Sequence, residues 1–116
     1  LPVIGYLDGV DDATGRVWGW ACDPDAPQTS VSVHFYADGP AGKGRMVAAT
    51  NANKWSEAAV RARCGGGNNH RFEFFASAAV IQKIGKGSHS IYAHGIDTAG
   101  GPNPTLSGSP KYIYLP

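Results

Sequence analysis

The chain has 116 residues, of which 42% are hydrophobic and only 16% charged, with a formal net charge of +1. That length suits one domain, residues 1–116, with a core of its own, and the apolar share argues against a disordered chain. Lysine and arginine form no block, which argues against a nucleic-acid partner, and apolar runs such as 74–76 and 78–81 fall far short of the roughly 20 residues of a membrane helix.

The chain opens Leu1-Pro2-Val3-Ile4 with no methionine, basic stretch or cleavage site, the look of a mature or excised piece. Sixteen glycines and eight prolines fall as punctuation between short apolar stretches. The segments that read as strands are 3–7, 16–22, 30–37, 45–50, 58–63, 71–76, 89–96 and 111–115. Turn-formers separate them at 11–15, 23–27, 65–69 and 99–104. Segment 30–37 alternates most clearly, with Val31, Val33 and Phe35 set to face inward against Ser32, His34 and Tyr36. In Arg16-Val17-Trp18-Gly19-Trp20-Ala21-Cys22 the same period sends Trp18, Trp20 and Cys22 to one face. Gly19 leaves the opposite face bare, which favours close packing there by the second sheet. Segment 77–83 reads either as a short helix capped by Ser77 or, through Val80-Ile81, as a strand. The expectation is an all-β antiparallel sandwich of about eight strands, immunoglobulin-like or of jelly-roll type.

Cys22 and Cys64 lack the C-x-x-C spacing of a zinc or redox site. One disulfide is the natural reading, closing a loop of about 40 residues with roughly 3–4 kcal/mol of stabilisation and implying an oxidising, extracellular home. The alternative is two reduced, buried thiols.

Catalysis finds little support. There is no G-x-S-x-G elbow, H-E-x-x-H or P-loop, and the glycine run at 65–67 is followed by neither lysine nor a helix start. Asp25 and Asp97 are the one carboxylate pair that loops could bring together as a glycosidase dyad; Asp8, Asp23, Asp25 and Asp97 otherwise read as turn-capping residues. No cofactor is expected. Asp11-Asp12 and Asp23-x-Asp25 offer oxygens that a structural calcium accepts, without the EF-hand spacing, while His34, His70, His89 and His94 are too scattered to nominate a transition-metal site.

The informative residues are aromatic. Trp18 and Trp20, about 6.6–6.8 Å apart at Cα along one strand face, form one flat surface on which the apolar faces of β-linked glucose units pack, with Asn51, Asn53, Gln28 or Asp25 at the rim. Trp55, in a polar stretch, and Tyr36 and Tyr92, on the polar sides of their strands, are candidates to extend that platform. The competing reading makes Trp20 a core residue packed against the disulfide.

Gly19-Trp20-Ala21, Asp23-Pro24-Asp25 and Pro27, followed by Val31, Val33, His34, Tyr36 and Asp38-Gly39, resemble β-sandwich modules appended to secreted bacterial hydrolases. The likeness continues through Gly87, His89, Ile96-Asp97, Ala99-Gly100 and Asn103-Pro104 to Leu106 and Gly108-Ser109-Pro110, nearly end to end. Such modules accompany glycoside hydrolases, peptidases and lyases, and at least one resembles an endoglucanase carbohydrate-binding module that holds β-glucan on a planar aromatic face. In related modules the position of Trp20 is usually tryptophan and that of Trp18 often polar. The resemblance therefore implies a scaffold role for Trp20 and a ligand role for Trp18. The expected protein is a monomeric, secreted, non-catalytic module that binds a β-1,4 or mixed-linked glucan, of cellulose or xyloglucan type, and tethers an appended glycoside hydrolase to it. The alternative is an immunoglobulin-like spacer with its tryptophans buried.

Overall fold

The computed structural model describes residues 1–116 and is an antiparallel β-sandwich of eight strands. The strands are β1 (Ile4–Asp11), β2 (Arg16–Cys22), β3 (Ser32–Ala37), β4 (Arg45–Asn51), β5 (Lys54–Trp55), β6 (Asn69–Phe75), β7 (Gly87–Gly95) and β8 (Lys111–Leu115), with two seven-residue helices, α1 (Ala58–Cys64) and α2 (Ala78–Ile84). One sheet has the order β1-β2-β6-β5 and the other β4-β3-β7-β8. No helix is long and apolar enough to cross a membrane.

Alternation decides which side of each strand is buried. Val31, Val33 and Phe35 point inward as the sequence predicts, and so do Val17 and Ala21 of β2, so that Arg16, Trp18 and Trp20 share the outer face of the first sheet. Phe35 joins the layers: its ring meets Phe72 edge-on at 5.4 Å and Phe74 at 4.4 Å. Gly19 is needed for this packing, but the ring that fills its bare face comes from the neighbouring strand β6 rather than the second sheet. A Cβ on Gly19 would lie 2.7 Å from the Phe72 ring and 2.1 Å from the Tyr6 carbonyl oxygen.

One expectation changes, and one open reading is decided. Segment 58–63 is helix α1 and not a strand: its alanines and arginines are good helix formers, and Val60 and Cys64, four residues apart, make a single buried face. The eighth strand is instead the two-residue β5, which pairs with β6. Segment 77–83 takes its helical reading as α2, with Ser77 at the N-cap position, although its hydroxyl makes no capping bond. Val80 anchors this helix in the main core, so burial outweighs the β-branched preference.

Cys22 and Cys64 form a disulfide with Cα atoms 5.9 Å apart, tying β2 to the end of α1. Around it lies a second, smaller core of Trp20, Val60 and the two half-cystines, with Ile4 packed against it.

Candidate functional site

On the outer face of the first sheet Asp8, Arg16, Trp18, Lys54, Trp55, Arg71 and Glu73 line an open groove of about 480 Å³. The register explains the gathering: Trp18 lies opposite Glu73, and Trp20 opposite Arg71, across the β2–β6 pair, while Lys54 of β5 pairs with Arg71. Trp18 is half-buried, and its six-membered ring lies over Gly9 of β1, where any Cβ would come within 2.7 Å of it. The Arg16 guanidinium stands 4.4 Å from the Trp18 ring centroid and is held there by Glu73, with Nε to Oε2 at 2.5 Å. Trp18 is thus a floor already carrying a cation. Trp55 is different: its indole is 67% exposed, with only the Arg61 guanidinium 5.6 Å from its centroid.

Arg71 fixes the middle of the groove. Its Nε and Nη2 donate to the two carboxylate oxygens of Glu57 at 2.8 and 2.5 Å, and its Nη1 donates to Asp8 at 2.7 Å. One guanidinium therefore ties β1, β6 and Glu57, the residue at the N-cap position of α1. The hydrogen bonds and charge of Arg71 hold the Glu57 carboxyl well below its ordinary 4.5, at about 2, and the two carboxylates raise the affinity of Arg71 for its proton. Because the folded-state value of Glu57 is depressed, its contribution is complete above pH 4.5 and disappears as pH falls through about 2. Acid titration of unfolding free energy is expected to show a loss across that window that is smaller in Glu57→Gln. Equal losses in the two proteins would show that the clamp does not contribute to stability.

No family model, curated protein or solved structure matches the chain. The geometry of the groove and the chemistry of its residues therefore carry the functional argument.

The five aromatic candidates do not form one platform. Trp18 and Trp55 share the groove. Trp20 is 7% exposed beneath α1, packed in the disulfide core with Arg63 5.5 Å from its ring centroid, which corrects its place among the stacking residues. Tyr36 and Tyr92 face each other across β3 and β7, on the other sheet, because two polar-side residues of different strands share a face only when sheet order brings those strands together. Of the proposed rim, Asn51 accepts a hydrogen bond from Ser32 on the second sheet at 2.9 Å, and none of Asn51, Asn53, Gln28 or Asp25 lines the groove. The charged residues that do line it were absent from the sequence expectation. Arg71 and Glu73 stand at period two on β6, as Arg16 and Trp18 do on β2, and that shared outward alternation was the available signal.

Of the aspartates expected to cap turns, Asp23 and Asp97 do so, whereas Asp8 accepts from Arg71 and Asp25 from the Leu1 ammonium group. Asp11 accepts from Ala13 N–H and the Thr14 hydroxyl, Asp23 from Asp25 N–H and Asp97 from Ala99 N–H, at 2.9–3.0 Å, and Asp12 accepts from Tyr114 N–H. No group of three or more His, Cys, Asp or Glu side chains is placed to hold a metal ion. Gly65, Gly66 and Gly67 all have positive φ, as the tight turn after α1 requires. The turn is pinned by the buried His70, whose Nε2 lies 2.9 Å from the Gly66 carbonyl oxygen.

Proposed function

We propose that this chain is a non-catalytic polysaccharide-binding module that takes a β-1,4-linked or mixed-linked glucan into the Trp18–Trp55 groove and holds an appended glycoside hydrolase against it outside the cell. The observation that carries this reading is Trp55, a large exposed indole at the wall of an open groove whose remaining lining is rich in hydrogen-bonding charges. The apolar C–H face of a glucose ring packs on an indole, and its equatorial hydroxyls then meet donors and acceptors at the rim. Here Arg16 is fixed by Glu73, and Arg71 by Glu57 and Asp8. A hydroxyl therefore bonds to groups that lose little freedom on binding, through charge-assisted bonds. Lys54 makes no ion pair and is the groove's free donor. The disulfide supports an oxidising compartment. Micromolar to millimolar affinity, roughly −8 to −4 kcal/mol, suffices for a tether, because it raises the local substrate concentration of the attached enzyme.

Affinity electrophoresis in gels containing barley β-glucan, xyloglucan, xylan or no polysaccharide tests this. The wild type is expected to be retarded by a glucan, Trp55→Ala to bind at the groove at least tenfold more weakly, about 1.4 kcal/mol, and Trp18→Ala to be retarded less than the wild type while still folded by far-ultraviolet circular dichroism. Equal mobility of the wild type in every gel would overturn the proposal in favour of a structural spacer.

A further inference from the structure

The outer face of the second sheet has a chemistry unlike that of the groove. At the outward positions of β3, β7 and β8 the sequence places only serine, histidine and tyrosine, and no aspartate, glutamate, lysine or arginine. Tyr36 lies directly opposite Tyr92, Tyr112 opposite Ser90 and Tyr114 opposite Ser88. With strands about 4.8 Å apart and a step of about 6.6–6.8 Å between alternate residues, the four phenols run obliquely from β3 to the edge strand β8. Tyr112 and Tyr114 are 70% and 51% exposed, while Tyr36 and Tyr92 are half-buried. The face is bounded at its His94 end, where Tyr36 meets the His94 ring edge-on at 5.4 Å and the Ala41 N–H donates to His94 Nε2 at 3.2 Å.

We propose that this face is a second polysaccharide site, for the flat side of a neutral β-linked glucan chain, seated on Tyr92, Tyr112 and Tyr114 with Ser88 and Ser90 between them. Charge decides the class of ligand. A nucleic acid, a uronate chain or an acidic peptide would find no countercharge at these outward positions, whereas a neutral sugar chain brings apolar ring faces to the phenols and hydroxyls to the phenolic and serine oxygens. Exposed aromatics concentrated on one sheet face mark a binding surface. The two sheets of a sandwich turn their outer faces in opposite directions, so a module with both sites bridges two chains of a polysaccharide. The inference shares the ligand class of the groove reading but rests on separate residues.

The test is an amide chemical-shift titration with cellohexaose on the wild type, Trp55→Ala and the double variant Tyr112→Ala/Tyr114→Ala, whose exposed side chains make the fold tolerant of their loss. Two sets of shifted amides are expected, one around β5 and β6 and one along β7 and β8. The double variant should weaken only the second set, at least tenfold, and Trp55→Ala only the first. Shifts confined to the groove in the wild type would overturn the second site and leave the groove reading standing. Shifts confined to β7 and β8 would leave the second site standing and overturn the groove. No shift in either region overturns both. Shifts along β8 that follow protein concentration and not cellohexaose would identify a second copy of the chain as the occupant, and would also overturn this proposal.

Discussion

Phe35→Ala is expected to lower the unfolding free energy by about 3–5 kcal/mol, the range for deleting a fully buried aromatic ring from a core. Phe35 is fully buried and contacts Phe72 and Phe74 of the opposite sheet. Removing it leaves a cavity at the junction of the two layers, and neighbouring rings held by strand pairing close it only in part. The site feels the change through Phe72, whose ring lies against Gly19, the residue between Trp18 and Trp20 on β2. Denaturant unfolding followed by tryptophan fluorescence checks this, with Phe35→Leu, which removes less volume and is expected to cost less, as the comparison. A cost for Phe35→Ala below that of Phe35→Leu would mean that the layers collapse onto the gap and that Phe35 is not what sets their spacing.

The sandwich was legible wherever alternation was clean. Val31, Val33 and Phe35, and Val17 against Trp18, report burial directly, because on a sheet with one face in the core, period two and burial are the same fact. It was illegible where the buried stripe was short. Helix α1 buries only Val60 and Cys64, a spacing that a seven-residue segment shows once, and β5 is two exposed residues whose strand character comes wholly from pairing with β6. The site divides on the same line. That Trp18 points outward follows from its own strand, but that Arg71 and Glu73 stand beside it depends on β2 pairing with β6 across more than fifty residues of sequence. Tyr36 and Tyr92 likewise carry no mark in the sequence that separates them from the tryptophans; sheet order alone puts them on the other side of the molecule. Arg16 over Trp18 is a further case: two residues apart on one strand face they are neighbours by periodicity, yet it is Glu73, from another strand, that holds the guanidinium in place.

Replacing both half-cystines, Cys22→Ala/Cys64→Ala, is expected to cost about 3–4 kcal/mol, since the bond spans a sequence separation of 42 residues and its loss frees that loop in the unfolded chain. The folded state should change locally as well. A seven-residue helix is not stable by itself, and α1 is held by the disulfide, by Val60 against Trp20, and by the Arg61 guanidinium donating to the Ser56 carbonyl oxygen. Without the bond the helix end loosens and water reaches Trp20, so the tryptophan emission is expected to shift to the red before global unfolding. Arg61, which lies beside Trp55, moves with the helix, so glucan affinity should fall together with stability even though neither cysteine lines the groove. Emission and affinity that stay at wild-type values while stability falls would locate the whole effect in the unfolded chain. They would also mean that Trp20, Val60 and Arg61 suffice to set the wall of the groove.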